Sequence, residues 1–245
     1  MRKIIFIILF LPIVYVCFGK PVRSNLGGEC QTYVEEDGIV IPDNPTAADY
    51  VQDGLCIMWD GIENVDWGEH SDDITTWTDL IGGLTIPNVV VVDGVAIDHT
   101  KNGYYKYFTR IRDIVSSAYM TFEIASLDQE ANYSWCQRTR NGGTEWTPSL
   151  YSNWHYFTWF RKYLSFPADT RFPNTRSLSA DGETVRGYCG GKFYSDCSVE
   201  EPHIDEGRCL FYSGVKICCV RFYDRPLSEE EIKYNNLIDK IRFGF

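Results

Sequence analysis

The C-terminal segment, residues 214–245, constrains the fold most, because it places a strand pattern directly before a helix start. Residues 215–223 are rich in β-branched and aromatic side chains, which pack well on a pleated surface and indicate a strand. Pro226 ends the strand, since proline has no N–H to donate to a ladder. The segment therefore predicts a last strand followed by a turn.

A short helix is predicted after that turn. Ser228 and Glu231 have the spacing of a capping box, in which each side chain bonds the backbone N–H of the other residue. Leu227 and Ile232 have the spacing of a hydrophobic staple, which fixes the angle at which the chain enters the helix. The apolar face of the helix follows the i, i+3, i+4, i+7 spacing at Tyr234, Leu237, Ile238 and Ile241.

Two patterns in the chain match one known family of modules. Residues 53–64 read DGLCIMWDGIEN, and residues 77–80 read WTDL. The C-terminal pattern comprises Ile217, Val220, Arg221, Phe222, Tyr223, Arg225, Leu227, Ser228, Glu230, Glu231 and Ile232. These patterns resemble the opening and closing motifs of the laminin-G-like, concanavalin A-like lectin-glucanase jelly-roll modules of the secreted bacterial type. The resemblance implies an all-β fold over residues 50–245, an antiparallel β-sandwich with a short C-terminal helix, in which Trp59 and Trp77 are core residues.

Further strands are predicted between the two motifs. Residues 84–92 and 95–98 flank Asp93 and Gly94, a favoured two-residue hairpin turn. Segments similar to the middle strand and the paired hairpins of the family lie at residues 120–124 and 177–192.

Residues 1–19 are expected to be a signal peptide. A basic start precedes the apolar residues 4–18, a run shorter than the ~20 residues that a membrane span needs. Cleavage before Lys20 would give an exported chain, either secreted, at the cell surface or periplasmic, with no membrane span. A lipoprotein anchor at Cys17 is the alternative, which the large residues before it disfavour. Residues 20–49 are interpreted as an N-terminal arm or linker.

The charge of the chain restricts its partners. The formal net charge is −11, so nucleic acid is not expected as a partner, because its phosphates would repel the protein. Anionic membrane surfaces are disfavoured for the same reason. Acidity is compatible with the binding of cations.

The cysteines favour disulfides over zinc. An even number remains outside the leader, and the spacings of structural zinc sites are missing from the sequence. A Cys189–Cys197 bridge is predicted, because a short loop with two glycines can return the chain between them. The family resemblance makes the first and last strands neighbours, which predicts that Cys218 or Cys219 faces Cys56. Buried reduced cysteines are the alternative.

No catalytic motif is recognisable in the sequence. The E-x-D-x-x-E strand of related glycoside hydrolases has no match, and neither do G-x-S-x-G, H-E-x-x-H or a P-loop. No catalytic residue is therefore assigned, and the chain is not expected to be an enzyme.

The loop at residues 60–73 is a candidate calcium site, because calcium prefers several carboxylate and carbonyl oxygens. Its spacing matches no defined calcium loop, and a solvated acidic loop is the alternative. The candidate ligands are Asp60, Glu63, Asp66, Asp72 and Asp73.

Three tryptophans lie in or near predicted loops and are candidates for stacking on sugar rings: Trp67, Trp146 and Trp154. Packing beneath a loop is the alternative for each. The resemblance and the absence of a catalytic motif favour a secreted or surface-exposed, non-catalytic module that binds carbohydrate or a cell-surface protein. A carbohydrate-active enzyme with an unrecognised site and a purely structural surface protein are the rival interpretations.

Overall fold

The computed structural model describes residues 3–10, 13–18, 32–98, 119–127, 134–135, 149–151, 156–159, 162–165, 174–198 and 216–245. The strands are β1 (Lys3–Phe10), β2 (Ile13–Phe18), β3 (Thr32–Glu36), β4 (Ile39–Pro42), β5 (Leu55–Asp60), β6 (Thr76–Thr78), β7 (Thr85–Pro87), β8 (Val89–Val92), β9 (Val95–Asp98), β10 (Tyr119–Ser126), β11 (Ser134–Trp135), β12 (Ser149–Tyr151), β13 (Tyr156–Trp159), β14 (Lys162–Ser165), β15 (Asn174–Asp181), β16 (Thr184–Cys189), β17 (Lys192–Ser198) and β18 (Lys216–Tyr223). A 3-10 turn spans Ala47–Asp49, and the α-helix α1 spans Glu229–Phe243.

The C-terminal strand β18 lies inside the main sheet, whose order is β17-β16-β15-β10-β18-β9-β8. All of its pairings are antiparallel, and β18 also pairs with β5 on the edge that it shares with β9. Cys219 to Tyr223 bond β5, whereas Lys216 and Ile217 bond β9. The predicted fold class, an all-β antiparallel sandwich with a C-terminal helix, is confirmed.

One face of the main sheet carries the larger apolar core. Phe122 of β10 and Phe222 of β18 are fully buried there, with ring centroids 4.8 Å apart. Trp77, Ile86 and Leu164 belong to the same cluster, so the β6–β7 pair and β14 pack on this face of the main sheet. Trp59 is also buried in this cluster, which confirms the core positions predicted for Trp59 and Trp77.

The opposite face of the main sheet is covered by α1 and by the predicted arm. Leu237 and Ile238 of α1 pack on Ala125 and Cys219 of the sheet, as the apolar spacing predicts. Ile41 is only 1% exposed and lies in the same cluster. The part of the arm that contains β4 is therefore packed on the domain.

The N-terminal residues form a hairpin that extends the arm. β1 pairs with β2 and with β3, giving the sheet order β2-β1-β3-β4. The signal peptide stays a prediction, and its cleavage would remove β1 and β2 from this sheet. Within the described ranges, no helix has the length and apolar character needed to cross a membrane.

The predicted hairpin around Asp93 and Gly94 forms between β8 and β9, with φ of 50° and 76° at the two turn residues. The predicted strand before it, residues 84–92, is divided in two. Asn88 has a φ of 60°, which redirects the chain, so that β7 pairs with β6 while β8 joins the main sheet.

Both predicted disulfide pairings need correction, because the strand registers separate the cysteines. Cys197 lies opposite Val185, at the far end of the β16–β17 hairpin from Cys189. Four residues of strand span about 13 Å, whereas bridged Cα atoms lie about 4.4–6.8 Å apart. Cys219 likewise lies opposite Asp60, four residues from Cys56, so neither Cys219 nor the adjacent Cys218 faces that thiol.

Cys56 is instead a partly buried thiol bonded to the backbone. Its Sγ lies 3.2 Å from the carbonyl oxygen of Phe222. Burial raises the pKa of Cys56 to about 12. The side chain therefore packs against the core as a small residue whose thiol stays protonated at neutral pH.

The helix cap forms as predicted. Ser228 Oγ accepts from the N–H of Glu231 at 3.2 Å, and the N–H of Ser228 donates to Glu231 Oε2 at 2.8 Å. Leu227 and Ile232 share a buried cluster, which confirms the staple. The helix ends at Gly244, whose φ of 76° is the left-handed conformation that glycine adopts readily.

Replacing Ser228 with alanine is expected to lower the free energy of unfolding by about 1 kcal/mol, because a helix N–H loses its acceptor. Reversible thermal or urea melts measure the change. Ser228→Thr keeps the acceptor and should retain most of the stability. Equal stability of the alanine variant and the parent would contradict the cap.

Candidate functional site

The loop at residues 60–73, here called the acidic loop, begins at a buried carboxylate. Asp60 ends β5 and is 0% exposed. Its Oδ1 accepts from the N–H groups of Ile62 at 2.9 Å and Glu63 at 2.8 Å. These two bonds turn the chain sharply out of the strand, so that the loop starts from a fixed direction.

Gly61 allows the base of the loop to approach a neighbouring turn. Its N–H donates to the carbonyl of Cys218 at 2.8 Å. A Cβ at this position would lie 1.9 Å from the carbonyl oxygen of Gly94 in the β8–β9 turn. The close backbone contact therefore requires glycine here.

Arg242, in the last turn of α1, holds the loop base from the other side. Its Nη1 donates to Asp60 Oδ2 at 2.6 Å and its Nη2 to Asp60 Oδ1 at 2.9 Å. Nη2 also lies 3.3 Å from Glu63 Oε1, and the arginine side chain is only 2% exposed. Glu63 in turn accepts from the N–H of Ala47 at 2.6 Å and of Gly68 at 2.9 Å.

Asn64 closes the acidic loop. Its Nδ2 donates to the carbonyls of Gly61 at 3.0 Å and Ser71 at 2.9 Å, and its Oδ1 accepts from the N–H of Ser71 at 3.0 Å. The N–H of Asn64 donates to the carbonyl of Glu69 at 3.2 Å. The two ends of the loop are therefore tied together by one buried amide.

The outer side of the acidic loop presents an aromatic ring among polar groups. Trp67 is 38% exposed and Val65 is 45% exposed. His70 Nε2 lies 3.1 Å from Asp72 Oδ1, which also accepts from the N–H of Asp93 at 3.3 Å. The bond to Asp93 connects the loop to the β8–β9 turn.

The structure does not bring the five predicted calcium ligands together, which corrects that interpretation. Asp60 and Glu63 are occupied by Arg242 and by backbone N–H groups, while Asp66, Asp72 and Asp73 are exposed on the outer loop. Within the described ranges, no three or more His, Cys, Asp or Glu side chains are grouped so that they could hold a metal ion. The guanidinium supplies the positive charge that calcium was expected to supply.

Of the three candidate tryptophans, Trp67 lies on the surface of the acidic loop, and its role in ligand binding stays a prediction. Trp146 and Trp154 lie outside the described residues. Arg242 and Asn64 hold the loop in place and were not predicted as site residues from the sequence. A signal for Arg242 is its position four residues after Ile238, which places a cation beside the buried face of α1.

A second buried ion-pair group, here called the Arg221 cluster, consists of Arg221, Glu123 and Asp239. Arg221 Nε donates to Glu123 Oε2 at 2.9 Å, and Nη1 and Nη2 donate to the two Asp239 oxygens at 2.8 and 2.6 Å. All three residues are 0% exposed. Because Asp239 belongs to α1 and the other two to the main sheet, the cluster joins the helix to the sheet.

The cluster is completed by neutral donors. Asn235 Nδ2 donates to Glu123 Oε2 at 2.8 Å, and Tyr50 Oη donates to Asp239 Oδ1 at 2.6 Å. Burial raises the pKa of Glu123, although the positive charge of Arg221 opposes the rise. Burial has the largest single effect and lowers the pKa of Arg221, but the negative charges of Asp239 and Glu123 and the hydrogen bond to Asp239 act together against it, so the net shift is well upward. Because Arg221, Glu123 and Asp239 are completely buried, the cluster stabilises the contact between helix and sheet and is not accessible to a ligand.

Comparison with known proteins gives a likeness of fold only. No family model and no curated protein matches the chain. A mutant of Trypanosoma rangeli sialidase displaying trans-sialidase activity is similar over 88% of this chain and 43% of its own, with 12% identity and a TM-score of 0.50. Trypanosoma rangeli sialidase in complex with sialic acid gives 14% identity, 86% and 42% coverage, and a TM-score of 0.49.

The binding domain of botulinum neurotoxin DC in complex with rat synaptotagmin II is also similar, with 11% identity over 77% of this chain and 52% of that one, and a TM-score of 0.49. The chain thus spans less than half the length of the sialidases that it matches. The likeness at a TM-score of 0.50 agrees with the β-rich antiparallel architecture described above.

Proposed function

We propose that this chain is an exported, non-catalytic binding module of the laminin-G-like, concanavalin A-like type, and that it binds glycans through the acidic loop. The observation that carries the proposal is the exposure of Trp67 on a loop whose base is fixed by buried charge pairs and amide bonds. Binding of a surface protein through the same loop is the competing possibility.

The rigidity of the loop supports binding. Asp60, Glu63 and Asn64 bond the backbone at its start, middle and end. A side chain presented by a fixed loop loses little conformational freedom when a ligand binds, which reduces the entropic cost of association. Trp67 is therefore suited to act as a preformed platform.

The chemistry around the ring suits sugars. An indole face offers a flat apolar surface to the C–H groups of a pyranose ring. Carboxylates accept hydrogen bonds, and sugar hydroxyls can donate them. Asp66, Glu69, Asp72 and Asp73 supply exposed acceptors on the same loop. Their negative charge favours neutral sugars over anionic ones.

The carboxylate pairs that the structure brings together do not support glycoside hydrolysis. That chemistry needs one carboxyl group to donate a proton and another to attack or activate water at the substrate. Asp60 and Glu63 share Arg242, and Glu123 and Asp239 share Arg221, and all four are buried. Neither pair is accessible to a sugar.

Replacing Trp67 with alanine is expected to weaken glycan binding by about 30-fold, the effect of truncating an aromatic hot spot worth about 2 kcal/mol. A glycan array finds a bound sugar, and calorimetry then measures its Kd for both proteins. Phe193→Ala is the matched control, because Phe193 is 45% exposed on β17, away from the loop. An alanine variant that binds every array sugar as the parent does would contradict the proposal.

Two further measurements separate the alternatives. Repeating the array in calcium and in chelator should give the same profile, because Arg242 occupies the carboxylates at the base of the loop. Steady release of reducing sugar from any bound glycan would favour an enzyme. An array without a single bound sugar would reject the glycan proposal, and capture of a surface protein that requires Trp67 would then identify the loop as a protein-binding site.

A further inference from the structure

A second aromatic platform lies at the end of the main sheet opposite to the acidic loop. Tyr119 opens β10 and is 53% exposed. It lies opposite Asp181, at the end of β15. The nearby Thr121 pairs with Tyr223, whereas Asp60 of the acidic loop pairs with Cys219, four residues earlier in β18. The two surfaces are therefore separate.

The ring of Tyr119 is held against a glycine. A Cβ on Gly182 would lie 2.7 Å from both Cε2 and Cζ of the tyrosine ring and 2.9 Å from its Oη. Gly182 also has a φ of 88°, which side chains other than glycine rarely adopt. The turn after β15 therefore supports the phenol ring from one side while more than half of the residue stays accessible.

A fixed pair of charged groups lies beside this ring. Asp181 Oδ1 accepts from the N–H of Thr184 at 2.8 Å and of Glu183 at 3.1 Å, so the carboxylate is held by its own turn. Arg186 Nη1 donates to Asp181 Oδ2 at 2.7 Å. The Arg186 side chain is 39% exposed and has five N–H donors in a planar fork, so further donors face solvent.

Tyr119, Asp181 and Arg186 lie on the same face of the sheet. Side chains two residues apart on a strand point to the same side. Tyr119 is two residues from Thr121, and Asp181 is two residues from Ser179, and both of these inner residues bond the segment that leads into α1. Directly opposed residues in an antiparallel pair have Cβ atoms about 4.5–5.5 Å apart. Tyr119 is thus adjacent to Asp181, which is bonded to Arg186.

We propose that Tyr119, Asp181 and Arg186 form a second sugar-binding surface that takes a neutral saccharide unit. The tyrosine ring packs on the C–H face of the sugar, and the guanidinium donates to its hydroxyl oxygens. Asp181 balances the charge of Arg186, and the net charge of −11 opposes the approach of an anionic ligand. The surface needs no contribution from the acidic loop.

Calorimetry with cellobiose, lactose and mannobiose tests this surface. Tyr119→Ala is expected to weaken binding of at least one of these disaccharides by about tenfold or more, the effect expected for an aromatic hot spot. Tyr119→Phe keeps the ring and should bind within about threefold of the parent, while Arg186→Met should lose affinity without loss of thermal stability. Trp67→Ala should leave the affinity for the disaccharide that binds at Tyr119 unchanged.

The variants distinguish this inference from the proposed function. Binding of a disaccharide that requires Tyr119 and not Trp67 would establish the second surface even if the acidic loop bound nothing. If no disaccharide depends on Tyr119, the second surface is rejected, whatever Trp67→Ala does. The affinities are compared only for variants whose melting temperature equals that of the parent. If Tyr119→Ala unfolds and Arg186→Met does not, the loss of disaccharide affinity in Arg186→Met tests the second surface.

Discussion

Replacing Arg221 with methionine is expected to lower the free energy of unfolding by about 3–5 kcal/mol, because Glu123 and Asp239 would be left buried without their cation. Both carboxylates are completely buried, so water cannot replace the guanidinium without opening the contact between helix and sheet. The chain is then expected to melt at a clearly lower temperature. Urea unfolding followed by circular dichroism measures the change.

The matched control is Arg225→Met. Arg225 also forms a two-point pair, with Glu231, but the side chains are 27% and 31% exposed. Such a pair contributes about 0–1 kcal/mol, since water screens it. If the Arg221 variant lost no more stability than the Arg225 variant, the buried cluster would not join helix and sheet as described. Adding Glu123→Gln and Asp239→Asn to the Arg221 variant should recover part of the loss.

The sequence predicts the elements around this cluster because their signals are local. The capping box needs only Ser228 and Glu231, three residues apart, and the strand before it needs only its own composition. The family resemblance added the burial of Trp59 and Trp77. Each of these predictions depends on a few neighbouring residues, and each is confirmed.

The sequence does not predict which distant residues meet. Arg242 bonds Asp60 across 182 positions of the chain, and the spacing of the acidic residues in the loop is the same whether calcium or a guanidinium neutralises them. The register of paired strands is also not predictable from the sequence. Cys56 and Cys219 do lie on neighbouring strands, but the pairing places them four residues apart, which excludes a bridge that topology alone permits.

One misread element shows how a single backbone angle changes a prediction. Residues 84–92 have the composition of one continuous strand. The left-handed conformation of Asn88, with a φ of 60°, divides them between two sheets. Asparagine adopts this conformation more readily than most residues, and Pro87 before it has no N–H to donate to a ladder, so these two residues are the signal for the break that the apolar pattern alone does not give.

Replacing Arg242 with methionine is expected to destabilise the chain by about 3–5 kcal/mol and to abolish glycan binding at the acidic loop. Asp60, which is 0% exposed, would lose its two-point partner, and Glu63 would lose its cation. The start of the acidic loop would then carry two uncompensated carboxylates. Because Trp67 depends on that base for its position, binding and stability should fall together.

The double variant Asp60→Asn with Arg242→Met separates charge from packing. Without the unpaired negative charge of Asp60, the double variant should be more stable than Arg242→Met alone. The double-mutant cycle with both single variants should give a coupling energy between Asp60 and Arg242 of about 1–3 kcal/mol. Below its melting temperature, Arg242→Met should also show altered fluorescence from the exposed Trp67, whereas Trp67→Ala should leave stability nearly unchanged. If the changes in the free energy of unfolding caused by Asp60→Asn and Arg242→Met were additive, the two side chains would not interact. The acidic loop would then lack the buried ion pair that holds Trp67 in position.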